Sequence, residues 1–156
     1  MTAALRRLER RKIRALSRCP KYFSKVNRKM GAMTGTLLQV ALGGALGAVC
    51  RYLAGLGALR LLGGTFPWGT LGVNVLGSAA IGLLWVILTS RGLDRLAPLL
   101  VTGVLGGFTT FSAFSLDAFA LAGEGRWVAA GAYVLGTLAL CLAGVAAGAA
   151  LGRVLA

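Results

Sequence analysis

The stretch GGFTTFSAF, Gly106 to Phe114, interrupts an apolar run long enough to cross a membrane. Two glycines, two threonines and a serine stand among its three phenylalanines. Each glycine weakens a helix by roughly 1 kcal/mol relative to alanine. At membrane depth a freed backbone group has no water to turn to. Non-helical backbone survives there only where protein or a cavity satisfies it. The stretch therefore predicts a membrane helix broken for a purpose, and the rest of the chain is organised around it.

The chain has 156 residues, 57% of them hydrophobic, and a mean hydropathy of +0.79. That composition belongs to a membrane protein and not to a water-soluble domain of this size. A spanning helix needs about 20 mostly apolar residues. Four windows qualify: residues 37–62, 67–89, 97–122 and 127–155. The connections between them are short, so little chain remains for an aqueous domain. The expected fold is all-α, with four transmembrane helices, the third of them broken, filling residues 36–156.

Residues 1–35 form a separate basic segment. Eleven of the 17 Lys and Arg lie within residues 1–30, against one acid, Glu9. From Met33 onward there are six Arg and three acids. Such a block reads as a disordered cytoplasmic tail beside anionic lipid. Nucleic-acid binding is a weak alternative, since any Lys/Arg-rich stretch suggests it. A further reading puts the translation start at Met33, which would make the tail an artefact. A cleaved signal peptide is not expected, because the first apolar run is a full span.

Cys19, Cys50 and Cys141 give an odd count with no CxxC spacing. They read as small apolar packers and not as a disulfide framework or metal site. The chain has no histidine, which removes histidine-based catalysis and histidine metal ligands together. There are no paired acids and no nucleophile–base pair, so no enzyme is expected.

Gly43 and Gly47 in the first span, and Gly144, Gly148 and Gly152 in the last, recur four apart. Such small-residue faces let helices approach closely in lipid, where packing drives association. Four spans place both ends of the body on one side. Arg91, Arg95 and Arg153 then face Arg60 and Arg126 across the membrane. Three against two is too little bias to orient the body. The basic tail would fix the N-terminus in the cytoplasm, and these two expectations conflict.

Polar residues inside spans are costly and face protein or a water-filled path. Here they are Arg51, Asn74, the Thr109–Ser115 cluster, Tyr133 and Thr137. No acid stands in the middle of a span; Asp117 lies near the end of the third. The inventory is rich in donors and poor in acids, which suits an anion whose water must be replaced. Phe111 and Phe114 are three apart and share a helical face. They are either core or lipid packing, or they present electropositive ring edges to an anion. Asn74 is either an interhelical hydrogen-bond partner or an amide donor to that path. Arg51 is a structural partner to backbone carbonyls, a snorkelling side chain or a vestibule residue. Tyr133 and Thr137, four apart, are interhelical glue or path lining. Freed carbonyls at the break would suit a hard cation such as Na⁺, or the break is a kink that accommodates packing.

Three motifs in order, GGALGAVCRY (43–52), PWGTLGVNVLGS (67–78) and GVLGGFTTFSAFS (103–115), resemble the CrcB/Fluc fluoride channel family. The resemblance covers residues 36–155. It implies an antiparallel dimer with a twofold axis in the membrane plane, through which fluoride leaves the cytoplasm passively across the plasma membrane. It also implies site roles. Phe111 and Phe114 would be the fluoride-coordinating rings, and Asn74 the pore amide donor. Tyr133 and Thr137 would begin a polar track that continues onto Cys141, where the family has a serine. Gly106 and Thr109 would offer backbone carbonyls to a central Na⁺ shared with the second chain. Arg51 would support structure or the vestibule. The basic tail departs from the pattern: it suits one half of a heterodimer, whereas the body alone suits a homodimer.

Two rivals stand beside this reading. A small dual-topology multidrug exporter would also have four spans, but it relies on a glutamate in its first span, where this chain has Arg51 and no acid. A non-transport membrane scaffold subunit would explain the glycine faces but not the donors on spans two to four.

Overall fold

The computed structural model describes the backbone of residues 20–156 and the side chains of residues 33–156. For residues 1–19 the expectation of a basic tail lies outside the described residues. The chain divides into two units, Met1–Leu37 and Leu38–Ala156, and all of the following packing lies in the second.

The described residues are helical. Helix α1 covers Pro20–Leu62 and α2 covers Trp68–Ser90. A 3₁₀ turn, Asp94–Leu96, leads into a π-helix, Pro98–Leu105, that runs into a single α-turn, α3, Gly106–Phe108. Helix α4 covers Phe111–Gly123 and α5 covers Trp127–Leu155. Among the described residues, four segments are long and apolar enough to cross a membrane: Met33–Leu62, Trp68–Ser90, Asp94–Gly123 and Trp127–Leu155. The four expected windows, 37–62, 67–89, 97–122 and 127–155, agree with these segments to within four residues at each end.

The turns use glycine where the backbone must turn left-handed. Gly92 and Gly125 have φ of +63° and +75°, which an L side chain rarely adopts. After α4 the Arg126 amide reaches back to the Leu121 carbonyl at 3.0 Å and the Gly125 amide to Ala122 at 3.0 Å. After α2 the Leu93 amide reaches Leu88 at 2.8 Å. Both are Schellman closures, which satisfy the last carbonyls of a helix before the chain reverses.

Glycine also sets the helix contacts. Lipid offers no hydrophobic force between helices, so backbone proximity must supply the contact. Gly148 of α5 lies against the Ala79 carbonyl of α2, and Gly82 of α2 against the Val145 carbonyl of α5. A Cβ added at Gly152 would stand 2.9 Å from Cβ of Val86. Gly43 and Gly47 of α1 lie directly on the π-helix and α3, beside Gly103 and Val104. The two expected small-residue faces are thus the seams on which the helices meet. Leucines on the outer surface, such as Leu46, Leu61 and Leu142, are exposed, as a lipid-facing surface requires. The inner cluster is Phe114, Leu121, Ala130 and Tyr133.

Candidate functional site

The third span holds the site because its two helical pieces meet at two extended residues. Thr109 has φ −85° and ψ 158°, and Thr110 has φ −155° and ψ 118°. Each threonine closes one helix end. The Thr109 hydroxyl and amide both donate to the Leu105 carbonyl, at 3.0 and 2.9 Å. The Thr110 hydroxyl accepts the Ala113 amide at 3.1 Å, the side-chain N-cap that starts α4.

Asn74 of α2 completes the junction. Its Nδ2 donates to the Thr110 carbonyl at 3.0 Å, and its Oδ1 accepts the Thr110 amide at 2.8 Å. The side chain is nearly buried, so these bonds replace water for a backbone residue that neither helix can satisfy. From α1, Arg51 Nε donates to the Gly107 carbonyl at 3.0 Å. Two amides are thereby diverted from helical use. Continued helix would give the Thr110 amide to the Gly106 carbonyl and the Ala113 amide to the Thr109 carbonyl. The first goes to Asn74 and the second to the Thr110 hydroxyl. The carbonyls of Gly106 and Thr109 therefore lose their helical donors, and such carbonyls are good ligands for a hard cation.

Beside the junction lies a cavity of about 310 Å³. Its lining includes Asn74, Gly106, Thr109, Phe111, Phe114 and Thr137, with Ser78 and Cys141 at its wall. Among the described residues, no carboxylate, lysine or arginine lines it. Thr137, on its wall, is only 4% exposed, and its buried Oγ1 has no hydrogen-bond partner. A buried hydroxyl without a partner is costly and calls for a ligand or water. The second hydrogen on Asn74 Nδ2 is a further donor, since only one is used on Thr110.

The two phenylalanines occupy different environments. Phe114 is buried, whereas Phe111 is 74% exposed, with ring centroids 5.4 Å apart and planes at 45°. Phe114 leans on Tyr133 at 5.2 Å, and Phe66 meets Tyr133 edge-on at 5.5 Å. Tyr133 is not on the cavity wall; it lies beyond the Phe114 ring and donates its hydroxyl to Asp117 at 3.3 Å. Asp117 belongs to a second recess of about 360 Å³, shared with Glu124 and Arg126. Glu124 and Arg126 form an exposed ion pair of 3.2 Å, which contributes little to stability.

Of the eight residues expected at a site, six therefore line one cavity. Tyr133 stands one ring away, and Arg51 lies on the far side of the junction, in a recess that also touches Thr110. Among the alternatives left open for Arg51, the carbonyl contact is the one present. For Asn74 the interhelical hydrogen bond is present. Thr110 was not singled out from the polar cluster; its signal is a threonine just ahead of a helical run, the N-cap position. The Asp117 contact with Tyr133 has no local signature, because the two are 16 residues apart.

The family described as CrcB-like protein, Camphor Resistance (CrcB), matches residues 38–149. A protein of Cereibacter sphaeroides named fluoride-specific ion channel FluC is 56% identical over 121 residues, covering 78% of this chain and 97% of that protein. One of the same name from Ruegeria sp. (strain TM1040) is 54% identical over 114 residues, covering 72% and 90%. A third, from Paracoccus denitrificans, is 54% identical over 121 residues, covering 78% and 97%.

Proposed function

The chain belongs to the CrcB-like family, and we propose that it is a fluoride-selective channel through which cytoplasmic fluoride leaves the cell passively. The observation that carries this reading is the acid-free cavity, lined by Asn74, Thr137 and the rings of Phe111 and Phe114. Fluoride is small and holds water tightly. A hydroxyl, an amide and electropositive ring edges compensate its dehydration, while no one of them holds it too tightly to leave. A carboxylate on that wall would repel it. HF crosses a bilayer neutral and ionises inside, so fluoride accumulates unless it has an exit. A negative interior supplies about 2.3 kcal/mol per charge per 100 mV to drive it out.

The working unit is a dimer of antiparallel copies. Phe111, Ser112, Ser115 and Gly106 are exposed on the single chain, at the middle of a membrane span. Hydroxyls and freed carbonyls at that depth need cover from protein, and a second copy related by a twofold axis in the membrane plane gives it. At that axis the carbonyls of Gly106 and Thr109 from both copies would hold Na⁺. The ion would supply fixed positive charge that ties the two junctions together. Balanced arginines on the body permit both orientations; a partner chain of opposite orientation would serve equally.

The test is fluoride efflux from liposomes carrying the purified full chain, read with a fluoride electrode after a potassium ionophore collapses the membrane potential. Rapid efflux that chloride does not match is expected. Export of a cationic dye in place of fluoride would favour the multidrug exporter, and neither would favour a scaffold subunit.

A further inference from the structure

Among the described residues, the cavity beside the junction and the second recess share no lining side chain. The cavity carries Phe111 and Phe114 on its wall. The recess carries Phe66, Asp117 and Arg126. It is bordered by the turn between α1 and α2 and by the turn between α4 and α5, so it opens toward one face of the membrane. Tyr133 stands between the two spaces; it is 1% exposed and lines neither. Its ring meets Phe114 on the cavity side, at 5.2 Å between centroids, and Phe66 on the recess side, at 5.5 Å and 89°. Trp68 backs Phe66 at 4.6 Å. Rings at these spacings are in contact and leave no open gap for an ion.

We propose that Phe66 is a specificity-determining residue of the channel: with Tyr133 it closes the partition between cavity and recess, and that closure passes fluoride and holds chloride back. The proposal rests on the channel reading. An ion crossing from one space to the other must displace rings, and displacing close-packed side chains costs more as the displacement grows. Chloride is the larger ion, so a tight partition discriminates against it by size, whereas the polar groups beside the junction act on dehydration. Phe66 is the member of the stack that can yield. It belongs to the turn between α1 and α2, where backbone moves more freely than in a helix. Phe114 and Tyr133 are buried and helical, and the Tyr133 hydroxyl is tied to Asp117.

The test measures fluoride and chloride efflux from liposomes carrying the full chain, each ion read with its own electrode, with assembly judged by size-exclusion chromatography in detergent. The parent should pass fluoride and exclude chloride. Phe66→Ala should still pass fluoride and should raise the chloride-to-fluoride ratio about tenfold or more, the scale of discrimination that a missing apolar group sets in a tight site. Phe66→Leu keeps most of the bulk and should keep the parent's ratio. Leu61→Ala is the control, an exposed residue near the same end of α1, and should behave as the parent. An assembled Phe66→Ala chain with the parent's ratio overturns the proposal. So does loss of fluoride flux with chloride still excluded, which makes Phe66 a support of the fold, and so does a ratio raised equally by Leu61→Ala. Should the alanine chain not assemble, Phe66→Val decides in its place: a raised ratio supports the partition and the parent's ratio overturns it. A parent chain that passes no fluoride ends the channel reading and the partition with it.

Discussion

Asn74 and Thr110 exchange two hydrogen bonds, amide to carbonyl at 3.0 Å and backbone N–H to amide oxygen at 2.8 Å. One side chain of α2 thus does for Thr110 what a neighbouring strand would do in a sheet. Thr110 can stay extended between two helices because both its backbone groups are satisfied. The shape of the cavity follows from this, since Phe111 begins α4 immediately afterwards and Phe114 is carried on the same turn.

Asn74→Asp separates the two bonds. A carboxylate still accepts the Thr110 amide but cannot donate to the Thr110 carbonyl. It also puts a negative charge on the cavity wall. Fluoride efflux is expected to fall about 100-fold or more, a barrier rise of about 2.7 kcal/mol or greater. The chain should still assemble, as judged by size-exclusion chromatography in detergent. Efflux equal to that of the parent chain would place Asn74 outside the path.

Phe111→Ile and Phe114→Ile are expected to differ in stability and agree in flux. Phe111 is mostly exposed on the single chain, so its loss should leave the apparent melting of the separated chain unchanged to within ~0.5 kcal/mol. Phe114 is buried between Phe111 and Tyr133, and its loss should cost about 1–3 kcal/mol. Both remove a ring edge from the cavity, and both should lower efflux by about tenfold or more, at ~1.4 kcal/mol per tenfold. Parent-like efflux in both variants would end the role of the rings. Thermal melting followed by intrinsic fluorescence checks the first contrast.

Much of this was legible because membrane chains are strict. Apolar length marked four spans, and glycines four apart marked the seams where Gly43, Gly47, Gly148 and Gly152 now lie. The break was legible because Gly106 to Ser115 concentrates groups that lipid does not tolerate. What was not legible depends on which side chain meets which across the bundle. Nothing local assigns Asn74 to Thr110 or Asp117 to Tyr133, because those contacts are 36 and 16 residues apart in sequence. Nor does a three-residue spacing reveal that Phe111 would be exposed and Phe114 buried. Both lie on one helical face, and only the position of α5 decides which is covered.

Gly107→Ala tests the seam at the break. A Cβ there would lie 2.5 Å from the Gly44 carbonyl oxygen and 3.1 Å from the Ala48 amide nitrogen. Both are backbone atoms and cannot step aside, so α1 must move away from α3. The variant is expected to lose about 1–3 kcal/mol, the ordinary cost of overpacking, and to run as a broadened species on size-exclusion chromatography. Gly136→Ala is the control, since nothing lies within 4 Å of its Cβ position. That variant should behave as the parent.

Arg51→Met removes the donor on the Gly107 carbonyl while keeping most of the apolar stem. A part-buried carbonyl then has no partner from α1, at a cost of about 1–3 kcal/mol. Arg51→Lys should recover only part of that, because the Nε–H that makes the bond is absent from lysine and its ammonium stands further along the stem. The order of apparent melting temperatures should be parent, Lys, Met. Equal values for all three would assign Arg51 to lipid headgroups and not to the junction.

The last prediction concerns the carbonyls of Gly106 and Thr109. Their helical donors are diverted to Asn74 and to the Thr110 hydroxyl, so they are ready to face a hard cation. If Na⁺ bridges two copies there, it binds the assembled form and not the separated one. Each tenfold rise in Na⁺ above its dissociation constant then adds about 1.4 kcal/mol to apparent stability. N-methylglucamine, too large for the site, should add nothing, and K⁺ should add less than Na⁺ because the carbonyls are held by short helices on either side. Prolonged dialysis into N-methylglucamine buffer should lower both the melting temperature and the dimer fraction, and Na⁺ should restore them. Melting curves that overlay in the two salts at equal ionic strength would remove Na⁺ from the junction, and the freed carbonyls would then need water as their partner.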